Sequence, residues 1–114
     1  MSDQPIHRFR RLRNKPAMRD MMRETTLSMS DFVCPLFIAE RPQDAGPVTS
    51  MPGVVRHSLD GLDREIEQIA SRQIRSVLLF GIPAMKDDRG SGAYRQDGII
   101  ARAVDRIKKL REDL

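Results

Sequence analysis

Two short apolar runs constrain the fold of this 114-residue chain more than any other feature. The run Phe32-Val-Cys-Pro-Leu-Phe-Ile38 is almost wholly apolar, and the run Arg75-Ser-Val-Leu-Leu-Phe80 ends in four apolar residues. Apolar runs of this length are typical of strands that are buried on both faces, as in parallel sheets covered by helices. The sequence therefore predicts an α/β fold with a parallel sheet.

Helical patterns follow each predicted strand. The spacing of Leu62, Ile66, Ile69 and Ala70 predicts a helix over 59–72 that Ser58 can cap. A second helix is predicted over 98–111, with an apolar stripe made of Ile100, Ala103, Val104, Ile107 and either Leu110 or Arg111. The order strand, helix, strand, helix favours parallel strands joined by right-handed crossovers.

Two buried strands are too few to complete such a sheet, because each needs neighbours along its edges and layers on both faces. Residues 39–58 are rich in Pro and Gly and are predicted to form a long loop, which leaves no third strand. Pro35 has no N–H group, so we expect a bulge or an unpaired position in the first strand. We therefore expect the chain to be the beginning of a larger α/β protein, such as a (β/α)₈ barrel of about 250 residues.

The positive charge is concentrated at the amino terminus. The net charge is +4, and residues 1–25 contain seven Lys and Arg against three acidic residues, so the remainder is neutral. We interpret residues 1–30 as a basic arm that contains a short helix near 16–24 with an apolar face formed by three methionines, Met18, Met21 and Met22. A face this small must dock on the body of the chain or on another subunit.

Several residues that can carry chemistry have simpler interpretations. His7 and His57 lack a nearby ligand set, so we expect surface histidines and no metal site. Cys34, the only cysteine, is predicted to be a packed thiol, and a reducing cytoplasm is the expected location. The loop charges are interpreted as solvated: Lys86, Asp87, Asp88 and Asp97. Gly90-Ser-Gly92 does not match a P-loop and is either a flexible active-site loop or a plain connector.

Five stretches together resemble porphobilinogen synthase, also called 5-aminolevulinate dehydratase, of bacterial type. They are RFRRLRNKPAMRDMMRETTLS (8–28), CPLFIAE (34–40), SMPGVVRHS (50–58), REIEQIASRQIRSVLLFGIP (64–83) and KDDRGSGAYRQDGIIARAV (86–104). Their order and spacing also fit that family, and they correspond to about its first third.

The resemblance implies a barrel preceded by an arm, with arms that wrap neighbouring barrels in a homo-octamer. It implies condensation of two 5-aminolevulinate molecules to porphobilinogen, with loss of water, through Schiff bases on two lysines. Zinc or magnesium assists that reaction in the family. Residues 31–114 would then provide the first two strands and helices of a TIM barrel, and the 114-residue chain would be inactive alone.

The same resemblance places both catalytic lysines and the metal-binding loop beyond Leu114, so we assign no catalytic or metal residue here. Phe80, at the end of the second strand, is either a substrate-pocket residue or part of the barrel core. The residues expected to hold subunits together are Arg8, Arg10, Arg11, Arg13, Met18 and Met22. The alternative function is a non-catalytic interaction module whose arm binds a partner subunit or nucleic acid. The basic run contains a single aromatic residue, Phe9, which disfavours nucleic acid, and no apolar run is long enough to cross a membrane.

Overall fold

The computed structural model describes residues 9–114. They contain a four-stranded mixed sheet with two helices packed on one face. The strands are β1 (Cys34–Ala39), β2 (Gly46–Pro47), β3 (Val55–Ser58) and β4 (Val77–Ile82). The α-helices are α1 (Pro16–Met21), α2 (Leu62–Ser71) and α3 (Ile99–Leu110). Short 3₁₀ turns lie at Arg11–Arg13, Met29–Asp31, Pro42–Asp44 and Ser91–Ala93. The predicted order of strand, helix, strand and helix is present as β1, α2, β4 and α3.

The centre of the sheet is the parallel pair β1 and β4. They are in continuous register from Cys34 opposite Val77 to Ala39 opposite Ile82, so β1 has no bulge against β4. The Cys34 N–H donates to the Ser76 carbonyl at 2.9 Å, so the nitrogen of the next residue, Pro35, faces away from β4. Of the two expectations for Pro35, the unpaired position is the correct one, because β3 pairs with β1 only from Phe37 onward.

The segment 39–58 contains regular structure, so the prediction of a plain loop without a third strand is wrong. β3 pairs in parallel with the carboxyl half of β1, and β2 pairs antiparallel with β3, which gives the strand order β2-β3-β1-β4. A tight turn joins β2 to β3, and within it Gly53 has a φ of 84°, which favours glycine. The pairing was missed because β3, Val55–Ser58, has little apolar character and forms by hydrogen bonding to the edge of β1.

Strand bounds also differ from the prediction. Both central strands begin two residues later than expected, and β4 continues through Gly81 to Ile82 before Pro83 ends it. The start of β1 is set by the turn Met29–Asp31, in which the Ser28 N–H donates to the Asp31 carboxylate at 2.7 Å. Gly81 is therefore inside the strand, beyond the apolar run that predicts it.

The hydrophobic core lies between the sheet and two helices. Leu36 and Ile38 project from β1 towards α2 and α3. The buried residues of α2 are Leu62, Ile66 and Ile69, three of the four in the predicted stripe. Ser58 does not cap α2 directly: its hydroxyl accepts the N–H of Gly61, the residue immediately before the helix, at 3.1 Å.

The face that helix α3 buries against the core is narrower than the apolar stripe predicted from the sequence. Its buried residues are Ile99, Ala103 and Ile107, whereas Ile100 and Val104 of the predicted stripe are 37% and 43% exposed. These two residues lie beside the free edge of β4, where the chain provides no further strand or helix within residues 9–114. None of the helices in this part of the chain is both long and apolar enough to cross a bilayer.

The predicted arm contains a shorter helix than expected. Helix α1 ends at Met21 and not near residue 24, and Pro16 occupies its first turn as predicted. The Arg19 guanidinium donates to the Arg13 carbonyl at 3.0 Å, so α1 is joined to the preceding turn. Met18 is half-buried, while Met22 is 48% exposed.

Candidate functional site

The carboxyl ends of β1 and β4 meet at one edge of the sheet. Ala39 and Ile82 are paired at that edge, so Glu40 and Pro83 lie next to each other in space although they are far apart in sequence. In parallel α/β proteins, ligands bind at the carboxyl edge because the loops that follow the strands converge there. We therefore place the candidate site at this edge.

Glu40 links the two strand ends. Its backbone N–H donates to the Ile82 carbonyl at 2.9 Å, and its carboxylate accepts the Ala84 N–H at 2.7 Å. The same carboxylate is 3.9 Å from the Arg102 guanidinium on α3. Glu40 is not among the residues predicted from the sequence; the available signal was an acidic residue directly after an apolar strand.

The loop of residues 83–98 forms the wall beside Glu40. The Asp87 carboxylate accepts the Ser91 backbone N–H at 2.8 Å and also the Ser91 hydroxyl. These bonds from Ser91 lower the pKa of Asp87 below its usual range. Gly90 has a φ of 62°, a left-handed conformation that suits glycine. Gly90-Ser-Gly92 therefore forms a turn that Asp87 holds through Ser91.

The end of the loop is equally well defined. The Arg95 guanidinium donates to both oxygens of Asp97, at 2.9 and 2.7 Å, and this bond lowers the pKa of Asp97. A Cβ atom on Gly98 would lie 2.9 Å from the Gly92 carbonyl oxygen, so the loop closes tightly just before α3. Asp97 and Lys86 are exposed, as expected of loop charges.

A cavity of about 250 Å³ lies between this loop and the strand ends. Its lining includes Glu40, Ala84, Lys86, Ser91 and Arg95. Asp87 also lines it, so the wall combines two carboxylates, two cationic side chains and backbone polar groups. Phe80 is not part of this lining.

Phe80 lies instead on the face of the sheet that neither α2 nor α3 covers. Its ring stacks on Phe37 with centroids 5.2 Å apart and planes at 21°, and the residue is 44% exposed. Pro35 and Leu78 are exposed one row nearer the amino ends of the strands on the same face. We call this surface of Pro35, Phe37, Leu78 and Phe80 the open face.

Arg56 extends the open face onto β3. It is opposite Phe37 in the parallel register, so the two side chains share one side of the sheet. Its Nε atom is buried and has no hydrogen-bond partner among the described residues. Sequence reasoning missed Arg56 because β3 itself was missed.

Cys34 lies at the opposite, amino-terminal end of β1. It is half-buried and packs against the core, in agreement with the prediction of a packed thiol. Burial raises the pKa of the thiol, and the charge of Glu65 raises it further while Arg72 opposes the shift. A thiol with a raised pKa is a poor nucleophile at neutral pH.

The remaining predicted residues do not converge on the edge. His57 is half-buried on β3, and His7 lies outside the described residues. Arg10, Arg11 and Arg13 are exposed in the arm, and Arg8 also lies outside the described residues. Within residues 9–114, no three His, Cys, Asp or Glu side chains form a group that could hold a metal ion.

Comparison with known proteins agrees with the resemblance predicted from the motifs. A relative in Escherichia coli, named delta-aminolevulinic acid dehydratase, is 52% identical over 97 residues, which is 85% of this chain and 30% of the relative. A relative of the same name in Archaeoglobus fulgidus is 44% identical over 108 residues, or 95% of this chain and 33% of the relative.

A solved structure is similar as well. It is the delta-aminolevulinic acid dehydratase (porphobilinogen synthase) of Toxoplasma gondii in complex with the reaction product porphobilinogen. It is 30% identical, with a TM-score of 0.85, and the match covers 96% of this chain and 32% of that one. The chain thus spans about a third of the length of the relatives that it matches. The model of the delta-aminolevulinic acid dehydratase family matches residues 6–114, nearly the whole sequence, and the chain belongs to that family.

Proposed function

We propose that this chain is the amino-terminal portion of an enzyme that condenses two 5-aminolevulinate molecules to porphobilinogen, with loss of water, in tetrapyrrole synthesis. The family match over residues 6–114 carries this proposal. The similarity to a structure that holds porphobilinogen supports it, since the fold agrees over 96% of the chain.

The architecture supports a more specific proposal than an α/β fold, namely an incomplete TIM barrel. β1 with α2 and β4 with α3 are two successive strand–helix units, and both helices lie on the same face. In a (β/α)₈ barrel, the helices form the outer ring and the opposite face of the sheet lines the packed interior. The open face would therefore be barrel interior, and residues 1–30 would precede the barrel as the arm.

The Schiff-base lysines of the proposed reaction would come from other parts of the complete protein. Lys108 donates to the carbonyls of Glu112 and Leu114, and Lys109 pairs with Asp105 at 2.7 Å, so both are engaged on α3. Lys86 is exposed in the loop. The resemblance places both lysines that form Schiff bases beyond Leu114, and none of these three lysines matches a catalytic position of the family.

The described residues do not fit the metal that the resemblance implies. Zinc is held by three or four Cys, His, Asp or Glu ligands, and residues 9–114 provide one half-buried thiol with a raised pKa and no group of three such side chains that could hold a metal ion. If zinc or magnesium takes part, its ligands belong to segments outside these residues. The part that this chain would play is structural and positional.

The arm supports assembly with further copies, and the homo-octamer is our proposal for the complete enzyme. The arm exposes three arginines, Arg10, Arg11 and Arg13, and also Met22. These side chains are available for contacts between subunits. Arg8 and Met18 belong to the same proposed contact set. The single free thiol is compatible with a cytoplasmic enzyme.

A chimera tests the proposed function directly. It joins residues 1–114 of this chain to the part of the Escherichia coli relative that lies beyond their match, and we refer to it as the chimera. We expect the purified chimera to form porphobilinogen from 5-aminolevulinate, measured by the colour reaction of the pyrrole with an aromatic aldehyde. The intact Escherichia coli relative is the positive control. A folded chimera that makes no porphobilinogen would contradict the proposal.

A further inference from the structure

The ladder between β1 and β4 stops at a defined point. Its last backbone bond runs from the Glu40 N–H to the Ile82 carbonyl. In the parallel register the nitrogen of the next residue, Pro83, faces away from β1, so the next donor directed at β1 is the Ala84 N–H. That N–H forms no hydrogen bond with the backbone of β1.

The Glu40 side chain takes the place of the missing backbone partner. Its carboxylate accepts the Ala84 N–H at 2.7 Å, and the side chain is only 29% exposed. The bond joins residues 44 positions apart and lies at the root of the 83–98 loop. A charge-assisted bond of this kind is about twice as strong as a neutral one.

The rest of the loop depends on its own internal bonds. Asp87 holds Ser91, and Arg95 holds Asp97, but both pairs are confined to the loop. The bond to Glu40 is thus the side-chain contact that ties the start of the loop to the sheet. Arg102, at 3.9 Å, is too distant for a hydrogen bond and adds a weaker ionic contact.

We propose that Glu40 is a positioning residue: its carboxylate fixes Ala84, and through it the 83–98 loop, at the carboxyl edge where the active site of the proposed enzyme forms. The inference rests on the proposed function, and it assigns Glu40 no contact with substrate. It predicts that the position of the 83–98 loop depends mainly on the acceptor oxygen of residue 40 and less on its negative charge.

Two variants of the chimera separate these effects. Glu40→Ala removes the acceptor, whereas Glu40→Gln keeps an amide oxygen that can accept the Ala84 N–H but loses the charge. Glu67→Ala is the matched control, because Glu67 lies on α2 and makes only an ion pair of 3.6 Å with Arg111. The first readout is the rate of limited trypsin cleavage after Arg89, inside the loop, with products identified by mass. The second is kcat and KM for porphobilinogen formation.

We expect Glu40→Ala to speed cleavage after Arg89 about tenfold, the effect of losing one partly buried hydrogen bond on local opening. We expect Glu40→Gln to speed it only about threefold, because a neutral acceptor keeps about half of the bond's strength, and Glu67→Ala to stay within about twofold of the unmodified chimera. In the same order, kcat/KM should fall most in Glu40→Ala and less in Glu40→Gln. The urea midpoint should be unchanged in these two variants and in Glu67→Ala. A general loss of stability would instead raise the cleavage rate at every trypsin site.

Two results would overturn the assignment. One is an unchanged cleavage rate in Glu40→Ala. The other is a rise in Glu40→Gln as large as in Glu40→Ala, which would show that the charge of Glu40, opposite Arg102 and Arg95, holds the loop. A folded chimera that lacks activity would contradict the proposed function alone, since the cleavage rates decide the role of Glu40 independently.

Discussion

Phe80 and Phe37 stack on the open face, one row below the end of β4. In a complete barrel this row is near the carboxyl edge, where a ring can either contact substrate or fill the interior. Phe80 is therefore either a pocket residue or a core residue, and the two interpretations differ in which measured quantity a substitution of Phe80 changes. A pocket residue affects substrate affinity, whereas a core residue affects the free energy of unfolding.

We predict that Phe80→Ala in the chimera raises KM for 5-aminolevulinate about tenfold, since an aromatic ring contributes about 1.5–3 kcal/mol when it is fully covered. Leu78→Ala is the control, because Leu78 lies on the same face one row deeper. We expect that variant to lower the urea midpoint with KM unchanged. If Phe80→Ala shifts only the urea midpoint, Phe80 belongs to the barrel core.

Gly81 is required by the close approach of β4 to α3. A Cβ atom there would lie 2.8 Å from Ile99 Cγ2 and 3.0 Å from two atoms of Ile100. We predict that Gly81→Ala destabilises the chimera by about 1–3 kcal/mol through overpacking, measured by urea unfolding. Gly92→Ala is the control, because its Cβ would meet only Pro83, at an ordinary 3.6 Å. Equal midpoints for the two variants would contradict this account.

At the level of elements, one arginine joins the two long helices. Arg106 of α3 donates to both oxygens of Asp63 on α2, at 2.6 and 2.8 Å, and to Asp60 at 3.0 Å. The bond to Arg106 lowers the pKa of Asp63 below its usual value near 3.8. The unfolded chain therefore binds this proton more readily than the folded chain does.

The sign of the pH effect follows from that difference. The stabilisation is fully present above the unfolded pKa, near pH 4, and is lost as the pH falls through the lowered pKa of the folded state. We predict that Asp63→Asn lowers the urea midpoint of the chimera at pH 6 and that the gap to the parent closes towards pH 2. Asp105→Asn, which breaks an exposed pair within α3, should leave a smaller gap at pH 6. A gap that widens in acid would refute the assignment.

The elements that the sequence predicts well are those with strong apolar periodicity. β1, β4, α2 and α3 are all present, because each buries a recognisable set of side chains. β3 could not be predicted, since its residues are mostly polar and its stability comes from pairing with β1. Glu40 escaped prediction for a related reason: its partner, Ala84, is 44 residues away, and only the sheet register brings them together.

The whole molecule exposes more surface than a finished domain of its mass. Its accessible area is 9745 Å², whereas a compact monomer of 13.0 kDa has about 6300 Å². The radius of gyration is 22.4 Å, compared with about 13 Å for a compact chain of this length. The exposed arm and the open face both contribute to this excess. The relatives are about three times as long, so in them further segments are available to cover such a face.

We expect the 114-residue chain alone to make no porphobilinogen, to bind a hydrophobic dye such as ANS and to be poorly soluble or molten, because the open face and the edge of β4 stay uncovered. Leu78→Lys should have opposite effects in two contexts. In the chain alone it places a charge on an exposed apolar surface, so solubility rises and dye binding falls. In the chimera the same lysine would be buried in the barrel interior without a partner, so folding is lost. A sharp, cooperative thermal transition of the monomeric chain, with no dye binding, would show that the open face needs no cover.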